Sequence, residues 1–203
     1  MIDNFYNISK LINWKDEDKL FCHLQILRRG KDHPDLPAAN KLIKSWLVYS
    51  YDQLSALKEE IMFLCEHYKA RAYINVTPKK LEKLNTLLLQ KLAINVHNNN
   101  VINPMHLYNS ACGELKGVEP RWIVDIDNME DEKIVYQTID KIWMETHSFT
   151  ECQWMLAWIP TKSGVHYITK PFNLGKFKDV LPHIDVHKNN PTVLYIPDSL
   201  CND

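Results

Sequence analysis

From residue 71 to residue 196 the spacing of apolar residues switches repeatedly between two periods, and this alternation most limits the folds open to the chain. "RAYINV" (71–76) reads as a short strand. Thr77 follows as a helix N-cap with Pro78 at the first helical position, and Leu81, Leu84, Leu88 and Leu92 give that helix its apolar stripe. Asn98, Asn99 and Asn100 end it, and "NPMHLYNSACGELKGVEP" reads as a loop. The strand "RWIVDI" comes next, then a helix over about 131–146 carrying Ile134, Thr138, Ile139 and Ile142. Two strands, "CQWMLAWI" and "VHYITK", are joined by "PTKSG", whose Pro and Gly are hairpin residues. A short amphipathic piece at "KFKDVL", then "HIDV" and the strand "TVLYI", complete the pattern. Strands alternating with helices and closing on a hairpin predict an α+β fold, with one mixed sheet and helices packed on one face.

The first third of the chain reads differently. Residues 1–30 predict one or two short helices, and Leu54, Leu57, Ile61, Leu64 and Tyr68 predict an amphipathic helix over 40–69. Between them "GKDHPDLPAAN" (30–40) is a loop and the one credible linker. It adjoins a small basic cluster of Arg28, Arg29 and Lys31, for which a solvated loop is favoured over a binding loop. The expected organisation is an N-terminal helical cap, 1–69, and a main domain, 70–203. At 203 residues, 45% hydrophobic and 24% charged, the chain matches an ordinary globular protein. A net charge of −1 excludes a globally basic nucleic-acid binder, so any such surface is a local patch. Asp3, Asp16, Glu17 and Asp18 argue against an ordinary signal peptide, and the apolar runs are too short for a membrane span. Five scattered cysteines without a CxxC pair read as reduced thiols in a cytoplasm, and Cys65 with His67 lacks the partners for a zinc site. The six tryptophans read as core rather than as base-stacking platforms.

The chemistry concentrates in three places. Asp125 and Asp127 end the strand "RWIVDI", and residues two apart on a strand share a face. Two adjacent carboxylates repel unless a cation lies between them or one keeps its proton. Hard divalent ions such as Mg²⁺ suit such oxygens, and they also hold phosphates. Aspartates at strand ends are also common turn formers. The second place is "TKSGVHYITK", where Ser163 and Gly164 make a tight turn, His166 stands on the next strand, and Lys162 and Lys170 bring positive charge. A hydroxyl, backbone amides and an imidazole there suit a phosphate chain, and a plain hairpin with a half-exposed histidine accounts for the same residues. The third place is Asp185, after Ile184 and flanked by His183, His187 and Lys188.

An hhDhD strand, a Ser-Gly-x-His hairpin and an hD followed by a strand ending in "YIPDSL" resemble, in that order, the archaeo-eukaryotic primase superfamily, especially its primase-polymerase branch. The resemblance spans roughly residues 71–200 and implies a palm built on an RNA-recognition-motif-like sheet. It implies that Asp125, Asp127 and Asp185 are catalytic ligands of Mg²⁺ or Mn²⁺. Ser163, Gly164 and His166 would then meet the phosphates of a nucleoside triphosphate, with Lys162, Lys170 or Arg71 adding charge. Arg71 also reads as a plain residue at the start of its strand. The implied partners are single-stranded or primed nucleic acid and replication proteins, with no membrane; a phage or mobile element is a fitting source for such a module. Two departures stand out: Gly164 occupies the family's usual serine position, and Tyr195 and Asp198 replace a basic residue and a glycine. A metal-dependent nuclease or phosphoesterase, and a primase-like palm that binds without turnover, remain the alternatives.

Overall fold

The computed structural model describes residues 1–14, 19–34, 40–147 and 153–201. The fold is α+β, with antiparallel strands divided between two sheets that share a core. Sheet 1 has the order β1 (Ile2–Asp3), β10 (Thr192–Ile196), β4 (Arg71–Ile74), β2 (Leu20–Arg28), β3 (Lys41–Val48), with the short β5 (Lys79–Lys80) beside the start of β2. Sheet 2 has the order β7 (Met155–Pro160), β8 (Val165–Thr169), β6 (Trp122–Ile126), β9 (Asp185–His187).

Several expected elements change. The first 69 residues are not a helical cap: α1 (Phe5–Leu11), α2 (Tyr51–Ala56) and α3 (Lys58–Tyr68) are helical, but β2 and β3 are strands. β2 pairs with β4, so the expected boundary at residue 70 runs through a continuous sheet. The reason is burial on both sides of β2. Phe21, Cys22, His23 and Leu24 are all buried, which removes the apolar–polar alternation that marks a half-covered strand. Lys79 and Lys80 extend sheet 1 and so delay the next helix, α4 (Leu81–His97), beyond Pro78. The expected loop after Asn103 is a helix, α5 (Pro104–Glu114), whose N-cap Asn103 side chain accepts from the His106 amide and whose first residue is proline. α6 (Glu132–Met144) and α7 (Leu174–Val180) fall where the periodicity put them.

Each face of each sheet has its own covering. The even-numbered face of β2 and β4 (Leu24, Ile26, Ala72, Ile74) joins Ile8 of α1 and Ile61 and Cys65 of α3 in the main core. Ile123, Ile159 and Ile168 of sheet 2 enter that same cluster, which binds the two sheets together. Asn4, fully buried, donates from Nδ2 to the carbonyls of Pro160 at 3.0 Å and Val193 at 3.1 Å, one in each sheet. Arg121, also buried, donates to the carbonyls of Leu11 and Val76, each at 2.9 Å. The outer face of sheet 2 (Val124, Ile126, Val165, Tyr167) packs on α6 and α7. Trp154 and Trp143 are buried in that layer, whereas Trp158 is 44% exposed. Cys22, Cys65 and Cys112 are buried free thiols, and Cys152 lies outside the described residues. Among the described residues no helix is long and apolar enough to cross a membrane.

Candidate active site

Where the ends of the two sheets approach, they leave a cleft of about 290 Å³. Its sheet 2 wall is set by register: Asp125 on β6 lies opposite His166 on β8, and opposite Asp185 on β9. Directly opposed residues of an antiparallel pair point to the same face, so these three side chains, with Ile123 and His187, belong to the inner face of sheet 2. His166 Nε2 lies 3.3 Å from Asp125 Oδ1, and His166 Nδ1 lies 2.8 Å from Thr192 Oγ1, a fully buried hydroxyl that belongs to sheet 1. The ring is therefore held from both sheets. The hydrogen bond with His166 holds the Asp125 carboxyl below the usual carboxylate range; partial burial opposes this, and the charges of His166, His187 and Lys31 add to it.

The β7–β8 turn forms the adjoining rim. The Thr161 amide donates to the Gly164 carbonyl at 2.9 Å, and the Gly164 amide donates to Thr161 Oγ1 at 3.1 Å. A Cβ on Gly164 would lie 1.9 Å from the Ile126 carbonyl oxygen, so a side chain there would push the turn away from the end of β6. Gly164 thus brings the hairpin against the aspartate strand, and its amide is already engaged within the turn. Lys162, Ser163 and Asp127 line the cleft beside it.

The facing wall comes from sheet 1. Leu27 pairs with Arg71 and Gln25 with Tyr73, so Leu27, Arg71 and Tyr73 share the odd-numbered face of β2 and β4 and line the cleft with Arg29 and Lys31. Arg71 is ion-paired with Asp32, and both side chains are 7% exposed. Arg29 donates to the Tyr73 hydroxyl at 3.1 Å. Four cationic side chains (Arg29, Lys31, Arg71, Lys162) thus meet two carboxylates (Asp125, Asp127) in one cleft.

Of the residues singled out in the sequence, Asp125, Asp127, Lys162, Ser163, His166 and Arg71 are brought together here, and Asp185, Gly164 and Lys170 do not line the cleft. Lys170 lies past the end of β8, four residues and about 13 Å of strand from His166, with its Nζ 5.8 Å from the centre of the Trp143 ring of α6. Asp185 is exposed at the start of β9, one ladder rung from Asp125, where opposed Cβ atoms stand about 5 Å apart. A hard divalent cation would find Asp125 and Asp127 in the cleft and Asp185 beside them. As the side chains stand, no three His, Cys, Asp or Glu among the described residues are gathered to hold a metal.

Tyr73 and Thr192 carry no site signal in the sequence, and Arg29, Lys31 and His187 stand there only as a solvated cluster and a flanking residue. The basic cluster was visible but read as solvated, because nothing local shows that β2 ends beside β4 and opposite β6. His187 carried a usable signal, since its two-residue spacing from Asp185 puts both on one face of a strand. Comparison with known proteins gives no match to a family model, to a curated protein or to a solved structure.

Proposed function

We propose that the protein is a metal-dependent nucleotidyltransferase of the primase-polymerase type, acting on single-stranded or primed nucleic acid with nucleoside triphosphates. One observation carries the reading. Asp125 and Asp127, the turn residues Lys162 and Ser163, and His166 converge from distant parts of the chain on a cleft that also holds Arg29, Lys31 and Arg71. Carboxylates beside an excess of cations suit a polyanion whose reacting end is held by metal and whose charged tail is held by the protein. Mg²⁺ or Mn²⁺, when bound, supplies activation of a primer 3′-hydroxyl and charge neutralisation at the leaving pyrophosphate. The ligands would be Asp125 and Asp127, with Asp185 from across the ladder.

The chain's own residues divide the remaining work. Asp125 stays ionised because His166 and the nearby cations favour its charged form. His166, fixed between Thr192 and Asp125, lines the cleft wall beside the aspartate. Lys162 and Ser163 sit on a turn that Gly164 pins against β6, so they are placed relative to Asp127 by backbone packing. Replication proteins fit as partners of such an activity.

Incorporation of labelled nucleotide into a primed template, with Mg²⁺ or Mn²⁺, tests the reading. Asp125→Ala is expected to lower incorporation by about a thousandfold or more with unchanged circular dichroism; retained incorporation would remove Asp125 from the mechanism. Cleavage of the oligonucleotide without added triphosphate would point instead to a phosphoesterase. The second reading is a nucleotide-binding protein without turnover, favoured by the position of Asp185 outside the cleft. Calorimetric triphosphate binding with no incorporation at any metal concentration would select it.

A further inference from the structure

Arg71 differs from the other cations of the cleft in its burial. Its side chain is 7% exposed and meets Asp32 through one guanidinium nitrogen, while its Nε and the second carboxylate oxygen of Asp32 lack hydrogen-bond partners. A buried donor left unmatched costs about 1–3 kcal/mol, so the site holds hydrogen-bonding capacity that the protein itself does not use. Arg29 stands beside it, oriented by its bond to the Tyr73 hydroxyl, and Lys31 follows on the turn Gly30–Asp32. Among the described residues, Arg71 alone of the four cleft cations is in an ion pair. The wall faces the carboxylates across the cleft, so a ligand touching both sides must carry negative charge at some distance from its reacting atom.

We infer that Arg29, Lys31 and Arg71 form a seat for the terminal phosphates of a polyphosphate chain, as in a nucleoside triphosphate. The nucleoside part of this assignment rests on the function proposed above; the polyphosphate part rests on the wall alone. Guanidinium forks match phosphate oxygens in pairs, and Arg71 is already held rigidly by burial. A cleft of about 290 Å³ is at the small end of ligand sites, which suits a compact polyanion better than an extended strand. Only the 3′ end of a primer would then reach the carboxylate side, with the rest of the nucleic-acid strand outside this cleft.

Calorimetric titration of the whole protein with inorganic tripolyphosphate, in the presence and absence of Mg²⁺, tests the seat. The double variant Arg29→Gln/Lys31→Gln changes side chains at the cleft rim and is checked for folding by circular dichroism. Arg71→Lys, which keeps the charge and loses the fork, serves as an independent second variant. Tripolyphosphate is expected to bind the unaltered protein and to bind the double variant roughly tenfold or more weakly. No binding to the unaltered protein, or equal binding to the double variant, overturns the assignment. So does a double variant that loses affinity for a single-stranded oligonucleotide while keeping tripolyphosphate. A seat that behaves as expected in a protein that never extends a primer sinks the transferase reading alone. An active transferase whose double variant binds tripolyphosphate undiminished sinks the seat alone.

Discussion

At the scale of single residues, the site depends on a contact between the two sheets. Thr192 begins β10 in sheet 1, yet its hydroxyl lies 2.8 Å from Nδ1 of His166 in sheet 2. The other ring nitrogen faces Asp125. A partner on Nδ1 fixes the direction of the ring, which makes Thr192 a positioning residue for His166. Thr192→Val keeps the shape and removes the hydroxyl, leaving Nδ1 without its partner at a cost of about 1–2 kcal/mol in stability. Turnover is expected to fall by about tenfold, and the ¹⁵N resonance of His166 Nδ1 should shift as it loses its hydrogen-bond partner. Thr192→Ser, which restores the hydroxyl, is expected to recover both. An unchanged imidazole spectrum in the valine variant would show that the ring is held by something else. No property of residue 192 in the sequence announces this role, because 26 residues separate it from the histidine and the pairing exists only between sheets.

Secondary-structure elements show where local pattern is enough and where it is not. β6, β8, α6 and β10 were legible because each has one strong period or a continuous apolar run between clear turn residues. β2 was not, since α1 and α3 cover one face and the α4–α5 pair covers part of the other. His23 marks that second covering: it is buried, and its Nε2 lies 3.1 Å from Asn109 Oδ1 on α5. Burial above all, then the charge of Lys79, pushes its pKa from 6.5 down to about 4, against the pull of the Asn109 bond. A folded value below the unfolded one means that the neutral ring is the form that folds. The contribution is therefore complete above pH 6.5 and is lost as pH falls from 6.5 toward about 4, amounting to about 3 kcal/mol at the acid end. His23→Gln retains a hydrogen-bonding group and cannot titrate. Its denaturant midpoint is expected to fall less than that of the unaltered protein between pH 7 and pH 4; parallel losses would assign the acid sensitivity to other groups.

For the molecule as a whole, the two sheets behave as one core. Ile168 of β8 is fully buried in the cluster that also holds Leu24, Ile26, Ala72 and Ile74 of sheet 1. Ile168→Ala removes packing at this junction and is expected to cost about 2–5 kcal/mol. Unfolding should remain a single transition, because the cluster crosses both sheets. Two separate transitions, or a loss below about 1 kcal/mol, would show that the sheets are independent units. The same variant should weaken triphosphate binding, since the junction sets the spacing of the cleft walls. By itself the sequence determined the α+β class, the strand that carries Asp125 and ends just before Asp127, and the hairpin that carries Ser163 and His166. Each of these follows from apolar period and turn chemistry within a few adjacent residues. Only the tertiary structure decided that β1, β2 and β3 share a sheet with residues 71–74 and 192–196, that Arg29, Lys31 and Arg71 face the carboxylates, and that Lys170 does not. Those outcomes depend on which strands pair and which faces meet, and a packed core fixes these through contacts between residues far apart along the chain.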